Sequence, residues 1–484
     1  MEHQEHHHHH HHKEKMKHMA GKLAALLQLA VSAGFIAVLW NSGMLPVKYM
    51  LPVIVFLLVL FGITFGLQFI QKKVTAVIGI IVSLIISVVL AVGILYFTKA
   101  NQAMKDVGGA AYKTDNMIVA VKKDNAAKNI LDARNYRFGY QTSMDQENNQ
   151  LMLEDVTAVT GRELKLIEFE TVAEEAEALL DGRIDAAIYN EAFTGIIEDS
   201  VENYSEQVRI LYQYGIETEL EQEETNVEEA FHVYISGIDV AGPISTNSRS
   251  DVNIIMTVNP NTRKILLTTT PRDYYVPIPG VSGEARDKLT HAGIYGVDVS
   301  MATLESIYGI DISYYARVNF TSLITIVDAL GGVDVDSEYA FDAGGYSFVQ
   351  GTNHLDGAKA LAFARERYSF ESGDNQRGKN HEAVLTAILR KAMSPAVLTS
   401  AGQILAGIGD CVQTNMTQEE MAKFINMQLS DPAMWSIEST AATGSGDNQP
   451  CFSSGSQLLY VMWPDEAIVG DISRRMKQIE GENK

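Results

Sequence analysis

The sequence predicts an α/β protein in three parts: three N-terminal transmembrane helices, a small accessory α/β domain, and a larger α/β domain of the αβα type around a central mixed sheet. Three observations predict it. Long apolar runs are confined to the first hundred residues. After them, short apolar runs alternate with amphipathic stretches, the texture of strands and helices in one layered unit. From residue 231 onward the runs become rich in β-branched and aromatic residues, with helix-period segments between them. A chain of 484 residues has room for all three. The expected boundaries are a basic, His-rich cytoplasmic tail or tag at 1–22, the three helices at 23–98, the accessory domain with its linker at 99–228, and the larger domain at 229–484.

The apolar runs at 24–40, 49–70 and 74–97 are each about long enough to cross a hydrocarbon core of roughly 30 Å. They carry almost no ionisable side chain, as a bilayer interior requires. Lys13, Lys15, Lys17 and Lys22 precede the first run and Lys72 and Lys73 precede the third, whereas only Lys48 lies in the first loop. The positive-inside rule therefore puts the N-terminus in the cytoplasm and, after an odd number of crossings, everything from about residue 99 outside a multi-pass cell-membrane protein. The His and Lys tract at 1–17 is expected to be a disordered solvated end, and 101–114 a juxtamembrane linker.

In the middle region, strands are expected at 117–121, 164–169, 184–189 and 208–212, with helices at 172–180 and 191–198. The passage LDGRIDAAIYN over 180–190 resembles the βα turn of solute-binding-protein lobes; it suits either a ligand-approaching turn or a plain architectural lobe. The acidic stretch 217–229 reads as a linker. Beyond it, strands are expected at 231–238, 252–258 and 265–269, and helices at 300–307, 323–330, 357–364, 380–393 and 465–477, with 443–456 a surface loop.

The placement of charge suggests chemistry. The net charge is −22, so clustered arginines are no by-product of a basic composition, and no nucleic-acid partner is expected. Yet Arg365, Arg367 and Arg377 crowd into FARERYSFESGDNQR over 363–377. An extended segment would point Arg365 and Arg367 to one side, and a Gly373-Asp374 turn would bring Arg377 near. Asp239 follows the first strand of the larger domain, Arg249 and Asp251 precede the second, and Arg272 and Asp273 follow the third; Lys288 and Arg317 come later. Charges at strand ends gather on one rim of a sheet, where open α/β folds bind ligands. Guanidinium forks match phosphate oxygens, and two carboxylates beside them suit a divalent cation arriving with a polyanion. The same groups could instead pair with one another on a solvated surface, where such pairs contribute little.

Taken in order, SRSDVNIIMTVN (248–259), TPRD (270–273), KLTHA (288–292), VNF (318–320), DALGGVDV (328–335), LDG (355–357), ARERY (364–368) and GDNQR (373–377) resemble the LytR-CpsA-Psr family of cell-wall enzymes. The resemblance covers 231–392, and the three-span anchor with an extra outer lobe looks like its capsule-associated branch. It implies a phosphotransferase that takes a glycopolymer, capsular polysaccharide in this branch, from polyprenyl pyrophosphate to a peptidoglycan hydroxyl as a phosphodiester, releasing polyprenyl phosphate. On this resemblance Asp239 and Asp251 hold Mg²⁺, or Mn²⁺ in its place. Arg249, Arg272, Arg365, Arg367 and Arg377 bind the pyrophosphate, with Lys288 and Arg317 among the basic residues near it, and Arg272 and Arg367 act in catalysis. Asp273 is a candidate general base or an orienting partner of Arg272, and Asp374 holds Arg377. His381 stands in GKNHE (378–382) where the family usually has glutamine, so a substrate contact there and a plain surface histidine both remain open.

A lipid-linked donor needs an apolar slot, for which Ile324, Ile326, Leu330 and Leu361 are candidates, although such stripes are commonly core. The expected partners are the lipid-linked glycan donor, peptidoglycan, the bilayer and capsule-assembly membrane proteins. Two other classes fit the same residues: a non-catalytic sensor or scaffold that binds lipid-linked intermediates, and a pyrophosphatase of the same donor. Cys411 and Cys451 would both lie in an oxidising exterior, and pairing, which would stabilise by roughly 3–4 kcal/mol, is left open.

Overall fold

The computed structural model describes residues 2–481 apart from Gln71, 110–111, 221–224, 239–243, 371–373, Met393, 395–411 and Pro432. It divides into two compact units. One holds 1–107, 392–409 and 417–433; the other holds 108–391, 410–416 and 434–484.

The first unit is built on α1 (Glu2–Ser42), α2 (Val47–Gly66) and α3 (Lys73–Val107). Their segments Met19–Ser42, Val47–Phe69 and Val74–Val107 are long and apolar enough to cross a membrane. Pro46, which has no backbone N–H and disfavours helix before it, separates α1 from α2. Several buried polar groups pair with one another or with backbone carbonyls. Thr64 Oγ1 donates to Gln28 Oε1 at 2.8 Å, and Gln68 Nε2 donates to the Thr64 carbonyl at 3.2 Å. Two expectations change here. The helix α1 runs back through the His tract to Glu2, and α3 runs on through the expected linker to Val107. In both cases a nucleated helix meets no proline, and adding residues to a helix is far easier than starting one. The helix Gln418–Ser430, opened by a Thr417/Glu420 capping box, joins this unit through Ala422, which is buried with Met44, Ala100 and Met104.

Among the described residues the second unit contains two large sheets and four two-stranded ones. The five-stranded sheet orders β1 (Tyr112–Lys122), β2 (Arg137–Gln141), β3 (Lys165–Phe169), β4 (Ala186–Asn190) and β5 (Val208–Glu219) as β3-β2-β4-β1-β5. The pleat explains why it is buried on both faces. Met117, Val119 and Val121 of β1 join one apolar cluster with Phe138, Met152 and Val156, while the alternating Ile118 and Ala120 join another with Val172, Leu179 and Tyr189.

The six-stranded sheet runs Val412–Thr414, Tyr314–Asn319, β6 (Phe231–Ile238), β7 (Ser250–Asn259), β8 (Lys264–Thr270), Ser436–Ala441. The β6–β7 register pairs Tyr234 with Ile255 and Ile235 with Ile254. The first pair lies in the main core with Leu266, Leu304, Tyr308 and Met476; the second points to the opposite face. Strand order sets the functional edge. Tyr314–Asn319 is parallel to β6, and Ser436–Ala441 is parallel to β8, so their C-terminal ends share an edge with those of β6 and β8. Antiparallel β7 brings its N-terminus, with Arg249 and Asp251, to that same edge. The expected loop at 443–456 is instead largely the strand Gly444–Pro450, paired with Leu458–Pro464 in a hairpin: polar, Gly-rich composition concealed a strand that is exposed along nearly its whole length.

Candidate functional site

The site begins with the outward face of the six-stranded sheet. Ile235, Ile254 and Val318 floor a groove of about 790 Å³ whose sides come from the helices Phe320–Ala329, Gly357–Arg365 and Asp374–Ala392. The first two helices approach closely because residue 357 is glycine: a Cβ there would stand 2.4 Å from the Ile324 carbonyl oxygen. The Gly357 N–H donates to Asp328 Oδ1 at 2.8 Å, and Asp356 caps its own helix through the Lys359 N–H. Leu323, Ile326, Leu361, Val384, Leu385 and Ile388 complete the apolar lining. Of the four residues considered for a lipid slot, Ile326 and Leu361 line the groove. Ile324 and Leu330 are not on its lining, and Leu330 is buried.

The charged end of the groove is where five arginines meet. Arg249, Arg272, Arg365, Arg367 and Arg377 all line it, with Asp251, Glu366 and His381. Their elements differ from the expected extended pair. Arg365 is the last residue of the helix Gly357–Arg365, whose capping residue Glu366 turns into extended backbone, and Arg367 lies just beyond. A helix end followed by the extended Glu366 still places both Arg365 and Arg367 on the groove lining. The Arg367 guanidinium lies 4.6 Å from the centre of the largely exposed Tyr368 ring. Arg377 comes from the first turns of the next helix, Asp374–Ala392.

At the shared edge of the sheet, Arg272 Nη1 donates to Asp251 Oδ1 at 2.8 Å, and Thr290 Oγ1 reaches the same oxygen at 3.3 Å. Asp273, nearly buried, is held between Lys288 Nζ at 3.2 Å and Arg272 Nε at 3.8 Å. Lys288 thus reaches the site through Asp273 and is not on the groove lining. Arg249 Nη1 stands 3.9 Å from Asp199 Oδ2, a residue of the lobe that carries the five-stranded sheet.

Arg317 requires a correction. It is 2% exposed, and its guanidinium donates to the Ser245 carbonyl at 3.1 Å, to the Thr246 carbonyl at 2.7 Å and to Gln413 Oε1 at 3.3 Å. Burial pulls its pKa down to about 10. Alternation along Tyr314–Asn319 turns it away from the groove that Val318 faces, so it braces the loop before β7 and is not on the groove lining. Asp239, Cys411 and the Asp374 side chain lie outside the described residues, whereas Cys451 is described and buried.

Among the described residues no three His, Cys, Asp or Glu side chains gather as a metal cage. Mg²⁺ does not need one, since it takes one or two carboxylates and fills its shell with phosphate oxygens and water. Asp251, fixed by Arg272 and Thr290 on the groove wall, is a hard oxygen donor of that kind.

Sequence reasoning missed a second cavity of about 320 Å³ that the Asp251–Arg272 pair also lines. It shares Asp251, Val252, Arg272, Arg377 and His381 with the groove and adds Asp273, Lys379, Thr443, Tyr460 and Met462. Tyr460 and Met462 come from the strand Leu458–Pro464, for which the sequence reading had no element, and the apolar run from Leu458 to Trp463 was the signal that could have revealed it.

Comparison with known proteins adds lineage. A model described as the LytR_cpsA_psr family matches residues 199–467. The chain is 37% identical over 202 residues to the polyisoprenyl-teichoic acid–peptidoglycan teichoic acid transferase TagU of Bacillus cereus, a match covering 42% of this chain and 65% of that protein. The protein of the same name from Bacillus mycoides is 38% identical over 194 residues, covering 40% and 62%. The chain therefore spans somewhat less than two thirds of the length of these relatives. Among solved structures, TagU of Bacillus subtilis is 28% identical with a TM-score of 0.42, covering 53% of this chain and 99% of that one. TagT bound to LI-WTA is 26% identical with a TM-score of 0.42, covering 54% and 94%.

Proposed function

Because this chain belongs to the LytR_cpsA_psr family, we propose that it is a membrane-anchored phosphotransferase that moves a glycopolymer from a polyprenyl pyrophosphate carrier onto a peptidoglycan hydroxyl. One observation carries the reading: a groove with an apolar floor ends in five arginines set against two carboxylates, Asp251 and Glu366, among the described residues of its lining. An apolar slot long enough for isoprene units and a cationic end for a diphosphate are the two halves of one ligand. In this reading N-terminal lysines keep the first end of α1 in the cytoplasm, and the α/β domains work outside the cell. Capsular polysaccharide is the polymer favoured by the three-span architecture; teichoic acid, named in the relatives, is the other candidate.

The chain's own residues divide the work. Arg365, Arg367 and Arg377 neutralise the diphosphate, so that the lipid phosphate can depart with its charge matched. Arg272, tied to Asp251 and Asp273, is held rigidly where the two cavities meet. The acceptor oxygen bonds to the phosphorus that bears the glycan, and the bridging bond to the lipid phosphate breaks. Asp273 takes the hydroxyl proton and passes it to solvent, giving a phosphodiester and polyprenyl phosphate. Mg²⁺ held by Asp251, with Asp239 as a second carboxylate, would supply Lewis-acid charge to the phosphate oxygens.

The test is direct. Full-length protein is incubated with polyprenyl-pyrophosphate oligosaccharide, Mg²⁺ and peptidoglycan. Glycan on peptidoglycan is the expected result; water-dependent cleavage alone would make the protein a pyrophosphatase, and saturable binding without turnover a sensor or scaffold.

A further inference from the structure

The smaller cavity shares Arg272 and Arg377 with the groove, but Lys379, Thr443 and Tyr460 on its lining have no part in holding a lipid diphosphate. Resting on the transferase reading above, we propose that this cavity is the subsite for the acceptor saccharide, with Tyr460 as its platform and Asp273 as its base.

Geometry supplies the first reason. The two cavities adjoin: Asp251, Val252, Arg272, Arg377 and His381 line both. If the lipid lies along Leu361 and Ile326, the leaving oxygen of the lipid phosphate points into the large groove. Phosphoryl transfer places the attacking and leaving oxygens roughly in line, so the nucleophile needs space beside the arginines other than that taken by the lipid. The smaller cavity offers such space, since Arg272 and Arg377 line it too.

The sorting of side chains supplies the second. Arg365 and Arg367 line only the large groove, whereas Asp273, the carboxylate suited to receive a proton, lines only the small one. A base belongs beside the nucleophile, within one hydrogen bond of its proton.

Chemistry of the walls supplies the third. A volume of about 320 Å³ is at the small end of ligand pockets, suited to a saccharide unit or two of a longer strand that continues into solvent. Thr443 offers a hydroxyl, Lys379, whose ammonium also donates to Glu338 Oε2 at 3.2 Å, has further N–H donors, and Tyr460 offers an apolar ring with a polar tip, the pairing that fits a sugar's C–H face and its hydroxyls. Tyr460 is 51% exposed and is set in place by its hairpin neighbour: a Cβ on Gly446 would come within 2.8 Å of the Tyr460 Oη, so the ring lies across a backbone cleared of side chain. The hairpin is fixed to the catalytic edge, since the Met462 N–H donates to the Asp273 carbonyl at 2.7 Å. The class of acceptor is a glycan strand presenting a free sugar hydroxyl.

The experiment uses full-length protein in detergent, a polyprenyl-pyrophosphate disaccharide as donor and a soluble peptidoglycan glycan-strand fragment as acceptor. Tyr460→Ala is expected to raise the acceptor KM by roughly tenfold, the loss of one aromatic platform. Its dissociation constant for donor stays within twofold of wild type, and Tyr460→Phe restores acceptor KM to within twofold. Lys379→Met, at another part of the lining, gives the same split and stands in should Tyr460→Ala fail to fold. Wild-type transfer with both variants unchanged in acceptor KM overturns the subsite alone, as does a rise in the donor dissociation constant equal to that in KM. A wild-type protein that binds donor and transfers nothing overturns the transferase reading and the subsite together.

Discussion

The two large sheets of the second unit use arginine in opposite ways. In the five-stranded sheet Arg137 is matched by its neighbour: Nη2 donates to Asp185 Oδ1 at 2.8 Å and Nε to Asp185 Oδ2 at 3.0 Å, and these hydrogen bonds hold the Arg137 pKa above its usual value. Arg209 is likewise absorbed, donating to the carbonyls of Asn125 and Ala127. In the six-stranded sheet, five arginines from β7, β8 and two helices share one groove with two carboxylates among its described lining. The difference teaches that a guanidinium points to function when several converge at a place the fold keeps open, not when one merely occurs near a strand end. Arg317 sits on the six-stranded sheet and belongs with the first kind.

Substitutions should separate the two sheets, starting with the largest effect. Arg272→Ala and Arg367→Ala are each expected to lower transfer by about 10²–10³-fold or more while far-UV circular dichroism stays that of the wild type, because both face the groove and not the core. Normal transfer by a well-folded variant would remove that residue from the site. Asp251→Asn should raise the Mg²⁺ concentration needed for half-maximal rate by roughly 10–100-fold; an unchanged titration would deny it a metal role. Leu361→Trp narrows the apolar floor and should raise the donor KM about tenfold for a long polyprenyl chain, with a smaller change for a farnesyl donor. If chain length makes no difference, the tail does not lie in the groove.

A fourth effect is in stability. Burial pushes the Glu382 carboxyl, beside the groove, up to about 7. A raised folded-state pKa means stability that is fully present below about pH 4.5 and is lost as pH rises through 7, on the order of 2–3 kcal/mol. Glu382→Gln should flatten Tm across that window; an unchanged slope would place the titration elsewhere. The smallest effect is expected at the matched pair. Arg137→Ala should alter transfer by less than twofold, and a large loss would show that the five-stranded sheet takes part in the chemistry.

Much of this was legible in the chain itself, for reasons that particular residues make clear. The membrane helices showed because a run of bilayer length with almost no ionisable side chain is rarely anything but a span. The edge carrying Asp251, Arg272 and Asp273 showed because charges at strand ends have little freedom of placement. Other features were hidden by ambiguity of pattern. Leu330 and Leu361 share the same helical apolar rhythm, yet one is core and the other lines the groove, and only packing tells them apart. The strand Val412–Thr414 is too short to show a period, and Ser436–Ala441 is half polar. Arg317 looked like its companions because alternation along its strand fixes two faces without saying which of them is the groove.

The most direct measurement is a structure of the full-length protein with a short-chain polyprenyl pyrophosphate bound. The expected result places the diphosphate within about 2.7–3.2 Å of donors on Arg272 and Arg377, with the isoprene chain running past Leu361 and Ile326. A diphosphate held elsewhere, with the groove empty and the arginines undisturbed, would contradict it.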